Sequence, residues 1–168
     1  MGFGSRIIKN FRGVAFGAAV LGFAGVSAWA EGCAVDQVDL RGDWGQARFF
    51  VEIADTGPER SRGLMHRESM ASSAGMLFLY EKPQPTSFWM KNTLIPLDML
   101  FIDETGVVTR IHENAIPLDT TSIDGGLDVI AVLEINGGMS EILGITEGSD
   151  LRHPFFEKNI AVWPCETP

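Results

Sequence analysis

From Arg48 to Ala54 the side chains alternate, with Phe49, Val51 and Ile53 on one side and Arg48, Phe50 and Glu52 on the other. A period of two over this length is that of a half-buried β-strand. Five further runs, Gly75 to Tyr80, Thr86 to Met90, Asp98 to Asp103, Val107 to Glu113 and Val129 to Ile135, have strand length and are separated by Pro, Gly, Asn or Asp, giving at least six strands. Between the third and fourth of these five runs, Asp103-Glu104-Thr105-Gly106 reads as a hairpin loop, because Gly106 can supply a positive φ. Thr56-Gly57-Pro58-Glu59 has the Thr-x-x-Glu spacing of a capping box and predicts a short helix from Pro58 to His66, and a helical turn is expected over Met139 to Leu143 after Gly137-Gly138. Many short strands with one or two short helices predict a mainly β fold, a compact barrel-like or sandwich domain, rather than a doubly wound α/β sheet.

The N-terminus follows a different pattern. Arg6, Lys9 and Arg12 precede an apolar run from Val14 to Val26 that ends in Ala28-Trp29-Ala30, the layout of a secretory signal peptide. The run is shorter than the ~20 residues of a membrane span, and its glycines disfavour a persistent anchoring helix. Residues 1–30 are therefore expected to be a signal peptide cleaved after Ala30, leaving 31–168 as one β-rich domain, exported, with the periplasm as its compartment and no membrane attachment. Removing three of the thirteen Lys and Arg residues and none of the twenty-two Asp and Glu residues leaves a net charge of −12. Such a chain lacks the positive charge that holds nucleic acid, so nucleic acid is excluded as a partner. Cys33 and Cys165 lie near the two ends of the remaining chain and predict one disulfide clasp.

Candidate chemistry lies between Arg60 and Asp98, and at Glu134. Along Phe88 to Lys91, alternation places Trp89 and Lys91 on one face, where they form either a ligand platform or a Lys stem covering an indole. Asp98 shares a face with Leu100 and Ile102, and Glu134 shares one with Ile130 and Val132. A carboxylate on an apolar face needs a cation or a set of donors. Each is thus either an acid/base in a pocket or part of an internal salt bridge with Arg62, Arg67 or Lys91. On the predicted helix Arg62 and His66 are four apart and share a face, and with Arg67 nearby the turn could hold a carboxylate or phosphate. Methionines such as Met65 and Met90, with His66, His112 and His153, would suit copper(I), but they show no ligand spacing, so neither a metal nor another cofactor is expected. No nucleotide-binding or hydrolase motif is present.

Several of these residues occur together in order: Arg62-Gly63-Leu64-Met65-His66-Arg67, Gly75-Met76-Leu77-Phe78, Phe88-Trp89-Met90-Lys91-Asn92-Thr93, Ile95-Pro96-Leu97-Asp98 and Val132-Leu133-Glu134-Ile135-Asn136-Gly137-Gly138. In this the chain resembles the uncharacterised family designated domain of unknown function 192 over nearly all of its length after residue 30. The resemblance implies a compact β-rich, barrel-like domain. If the family shares a site, its matching polar positions here are Arg62, Arg67, Trp89, Lys91, Asn92, Asp98 and Glu134; His66 occupies a variable place. The reading that follows is a cell-envelope accessory or ligand-binding module for a small or peptide-like molecule. The alternatives are an enzyme using Asp98 or Glu134 as acid/base with Lys91 and Asn92, and a module that docks a protein partner through Trp89 and Lys91. The sequence carries no signal of oligomeric state.

Overall fold

The computed structural model describes residues 1–2, 32–156 and 160–165; the segment read as a signal peptide lies almost entirely outside them. Seven strands form one sheet: β1 (Gln37–Gly42), β2 (Gly45–Ala54), β3 (Ala74–Phe88), β4 (Leu97–Ile102), β5 (Val108–Ala115), β6 (Ile123–Asn136) and β7 (Asp150–Arg152), in the order β5-β4-β6-β3-β2-β1-β7. Helix α1 (Gly57–Arg62) joins β2 to β3, which pair in parallel, and α2 (Met139–Leu143) follows β6. The mainly β expectation holds. The sheet is a half-barrel whose end strands meet at one corner, where Val107 bridges to Asp150 and the Leu151 amide donates to the Gly106 carbonyl.

This curl gives the sheet two unlike faces. Val38, Leu40, Phe49, Leu77, Leu100, Leu133, Val108 and Leu151, drawn from every strand, form the core inside it, joined by Met139 and Leu143 of α2. The other face carries a second buried cluster, including Phe78, Met99, Phe101 and Val132, covered by Leu64 beyond α1 and by Met90 and Ile95 beyond β3. Every residue of β4 is buried, and all but Asp98 are apolar, the near-continuous apolar run expected of a strand covered on both sides.

The runs expected at Gly75–Tyr80 and Thr86–Met90 are one fifteen-residue strand, β3, whose pairing with β6 shifts register between Leu79 and Thr86. Pro83 and Pro85 lie within this irregular stretch, as expected of residues that lack a ladder donor. At the same level Ile130 packs with the inner core and Val129 with the outer cluster, so Glu134 shares its face with Val132 but not with Ile130. Strands β1 and β7 were not predicted. They are held by Asp39, which lies opposite Arg48 on β2 and opposite Arg152 on β7 and accepts from Arg48 Nε at 2.6 Å and Arg152 Nη2 at 2.7 Å. Burial alone would raise the Asp39 carboxyl, but hydrogen bonds and charge from both arginines hold it below its ordinary value.

The capping box forms as the sequence predicts, with Thr56 accepting from the Glu59 amide and Glu59 accepting from the Thr56 amide. The helix stops at Arg62, short of His66, because Gly63 takes φ +47° and a Cβ there would sit 3.1 Å from the Phe78 ring. The disulfide Cys33–Cys165 is present and closes the chain across 132 residues. It brings Trp163 over the β1–β7 edge, with the guanidinium carbons of Arg41 and Arg152 each 4.4 Å from its ring centroid.

Candidate functional site

The end of α1 and the segment after β3 enclose a pocket of about 200 Å³ on the outer face of the sheet. The His66 amide donates to the Asn92 carbonyl at 2.8 Å and ties the two walls together. His66 and Asn92 both have positive φ, 62° and 56°, so each wall turns sharply at this tie. The floor is Glu134, flanked across the sheet by Met76 on β3 and Met99 on β4. Phe78, Tyr80, Phe88 and Trp89 supply aromatic surface, Ser87 and Thr93 supply hydroxyls, and Arg60 and Arg62 stand on the α1 side.

Glu134 is 4% exposed, and among the described residues no cation or hydrogen-bond donor reaches its carboxyl. Burial is the sole cause that pushes its pKa up, to about 8. At neutral pH it is therefore mostly the uncharged acid, able both to donate and to accept a hydrogen bond at the floor of the pocket. Tyr80 beside it is also pushed above its ordinary value, by burial first and by the Glu134 charge last, against the opposing effect of Arg60. Arg60 is occupied: it donates to the Asp55 and Leu79 carbonyls and lies 5.1 Å from the Tyr80 ring centroid. Arg62 makes no ion pair among the described residues.

The structure separates the other polar positions read from the sequence. Asp98 lies on the inner side of the sheet and Glu134 on the outer, so the two carboxyls cannot work as an acid/base pair on one substrate. Asp98 makes no salt bridge among the described residues. It accepts from the backbone amides of Asn114 at 2.8 Å, Gly138 at 2.9 Å and Ser140 at 2.7 Å, fastening α2 and the end of β5 to β4. Arg67 pairs with Glu52 at 2.7 Å, and because α1 ends at Arg62, Arg62 and His66 do not share a helix face. A larger groove of about 460 Å³ contains Arg62, His66 and Arg67. Its Arg67 is paired with Glu52 and its Glu59 is held in the Thr56 cap, and it has no buried unpartnered carboxyl, so it is the weaker candidate. Lys91 Nζ lies 5.2 Å from the Trp89 ring centroid, but β3 ends at Phe88 and the turn at Lys91, not strand alternation, brings them together; of the pair only Trp89 lines the Glu134 pocket. Asn92 faces away, its amide donating to the Met65 sulfur at 3.8 Å. His153, considered as a ligand, is buried, with Nε2 3.0 Å from the Val35 carbonyl and Nδ1 accepting from the Phe155 amide. Among the described residues no three metal-ligating side chains gather.

Sequence reasoning missed Arg60, Tyr80, Ser87 and Thr93 as pocket residues. The available signal was Tyr80, the single tyrosine of the chain, on the same strand face as Phe78.

A β half-barrel with an unpaired carboxyl at the floor of a surface pocket is the class of molecule these features define. Over residues 38–153 the chain matches the family model of the domain of unknown function 192, described as an uncharacterized ACR, and it belongs to that family. It is similar to a protein of unknown function from Novosphingobium aromaticivorans, with 40% identity, a TM-score of 0.67 and coverage of 68% of this chain and 82% of that one. It is also similar to a Sinorhizobium meliloti protein for which a role as a transcription regulator has been suggested, with 41% identity, a TM-score of 0.68 and coverage of 71% and 94%. No curated protein matches the chain.

Proposed function

We propose that this protein is an exported accessory module of the cell envelope that binds a small ligand in the Glu134 pocket. The observation that carries the reading is the Glu134 carboxyl itself. An unpartnered, nearly buried carboxyl costs free energy that the fold could avoid with an apolar residue, whereas a ligand completing its hydrogen bonds would recover that cost. The disulfide supports an oxidising compartment, with the periplasm as the place and cleavage after Ala30 as the route. No described helix is long and apolar enough to cross a membrane. The role suggested for the Sinorhizobium relative would call for DNA contact, which a chain of net charge −9 does not favour.

A second reading, docking of an envelope protein, has its own observation: Trp89, Leu94, Ile116 and Leu118 are exposed on neighbouring loops joined by the Leu118 amide and the Thr93 carbonyl. Thermal unfolding of the oxidised protein against amines, amino acids, sugars, nucleotides and peptidoglycan fragments tests the first reading. A melting shift that is lost when Ser87→Trp blocks the pocket supports it. Shifts that persist unchanged in Ser87→Trp, or no shift with any compound, refute it.

A further inference from the structure

The Glu134 pocket combines guanidinium groups, a buried carboxyl and aromatic surface. The α1 side carries two guanidinium groups, of which Arg62 has no ion pair among the described residues. The floor holds one carboxyl with neither cation nor donor. Phe78, Tyr80, Phe88 and Trp89 line the same pocket. Aromatic faces attract an ammonium group, and a desolvated carboxyl gains most from a cation brought directly against it. A simple amine would meet the repulsion of the arginines, and a simple carboxylate would be turned away from the floor once Glu134 ionised. A molecule with a leading ammonium and a trailing carboxylate satisfies both ends, because a guanidinium matches a carboxylate with paired N–H donors.

We propose that the pocket binds a small zwitterion, a free amino acid or a short peptide, with its ammonium group on the Glu134 carboxylate and its own carboxylate on Arg62. The inference rests on the ligand-binding reading above and specifies its ligand class. The volume of about 200 Å³ suits a molecule of amino-acid or dipeptide size. Binding has a proton balance. The protonated Glu134 carboxyl gives its proton to solvent as the ammonium arrives, the ligand keeps its own protons, and an ion pair replaces a neutral acid. Tyr80 on β3 is the titratable group whose charge couples to Glu134; Arg60 and Arg62 line the pocket from α1, and β4 presents Met99 beside Glu134. Burial pushes Tyr80 above its ordinary value and Glu134 up to about 8, so of the two Glu134 is the one that can release a proton near neutrality.

The test is calorimetric titration of the oxidised protein at pH 7 in two buffers of different ionisation enthalpy. The ligands are glycine, γ-aminobutyrate, lysine and glycylglycine, with N-acetylglycine, glycinamide and butylamine as controls. At least one zwitterion should bind with release of about one proton, and acetylation or amidation should weaken it about tenfold or more. Glu134→Gln should weaken it similarly and abolish the proton release. Arg62→Ala should weaken the zwitterion without weakening butylamine. The free amino acids and the dipeptide tell the two ligand sources apart. The ligand class is overturned if none of the four zwitterions binds, if N-acetylglycine binds as well as glycine, or if Glu134→Gln still releases the proton. In those cases a melting shift from another compound, lost in Ser87→Trp, would leave the pocket as a ligand site; without such a shift both readings fail together.

Discussion

Replacing Glu134 with Gln keeps the shape of the side chain and removes its ability to ionise. In the folded protein the carboxyl titrates near 8, against an ordinary value of 4.5. The folded state therefore binds one more proton than the unfolded state between those two values, and stability must fall as the pH rises through that window. The contribution is fully present below 4.5, is lost progressively on the way to 8, and changes no further above it. Each unit is worth about 1.4 kcal/mol, so the whole interval amounts to roughly 5 kcal/mol. Glu134→Gln removes this slope, so the difference between variant and parent isolates it. Urea unfolding of the oxidised proteins at half-unit steps from pH 4.5 to 9 reads it directly. With a slope of about 1.5 kcal/mol per molar urea, the two midpoints should diverge by about 3 M across the series, with Glu134→Gln the more resistant at high pH. Midpoint curves that stay parallel would show that Glu134 ionises normally in the folded protein, and the account of an unpaired buried carboxyl would be wrong.

Asp98→Ala should leave three backbone amides without their acceptor and lower stability by roughly 4 kcal/mol in denaturant unfolding, with ligand response at the Glu134 pocket unchanged wherever the variant still folds. Ser140→Ala, two residues into the segment Asp98 secures, should instead be neutral or stabilising by about 1 kcal/mol, because the Ser140 hydroxyl is buried without a partner while its amide keeps the Asp98 bond. Reducing Cys33–Cys165, or replacing both cysteines with Ala, should lower unfolding free energy by roughly 4 to 5 kcal/mol, since the loop it closes spans 132 residues. Burial, outweighing the Val35 carbonyl, holds His153 below its ordinary 6.5, so the folded state binds fewer protons than the unfolded one below that value. Melting temperature should drop as the pH falls through 6.5 toward the lower folded value, and His153→Gln should lack that component.

The alternation in Arg48–Ala54, the apolar run of β4, the Asp103–Gly106 hairpin and the Thr56–Glu59 cap were all legible in the sequence, because local periodicity and capping chemistry set them. So was the pairing of two cysteines placed near opposite ends of the segment. Strands β1 and β7 were not legible: β7 has three residues, and both are held by the Asp39 carboxylate, which meets Arg48 on the neighbouring strand and Arg152 from the far end of the chain. The site divides in the same way. Sequence marked Asp98 and Glu134 as carboxylates on apolar faces, but both faces of β4 and β6 are apolar, so alternation could not say which face was inside the curl. Only the tertiary structure decided that Asp98 meets the amides of Asn114 on β5 and of Gly138 and Ser140 at the start of α2, while among the described residues Glu134, one strand away and on the opposite face, meets none. That difference arises because partners for a buried charge come from wherever the fold brings other segments, and a one-residue change in strand phase reverses the side on which they must be found.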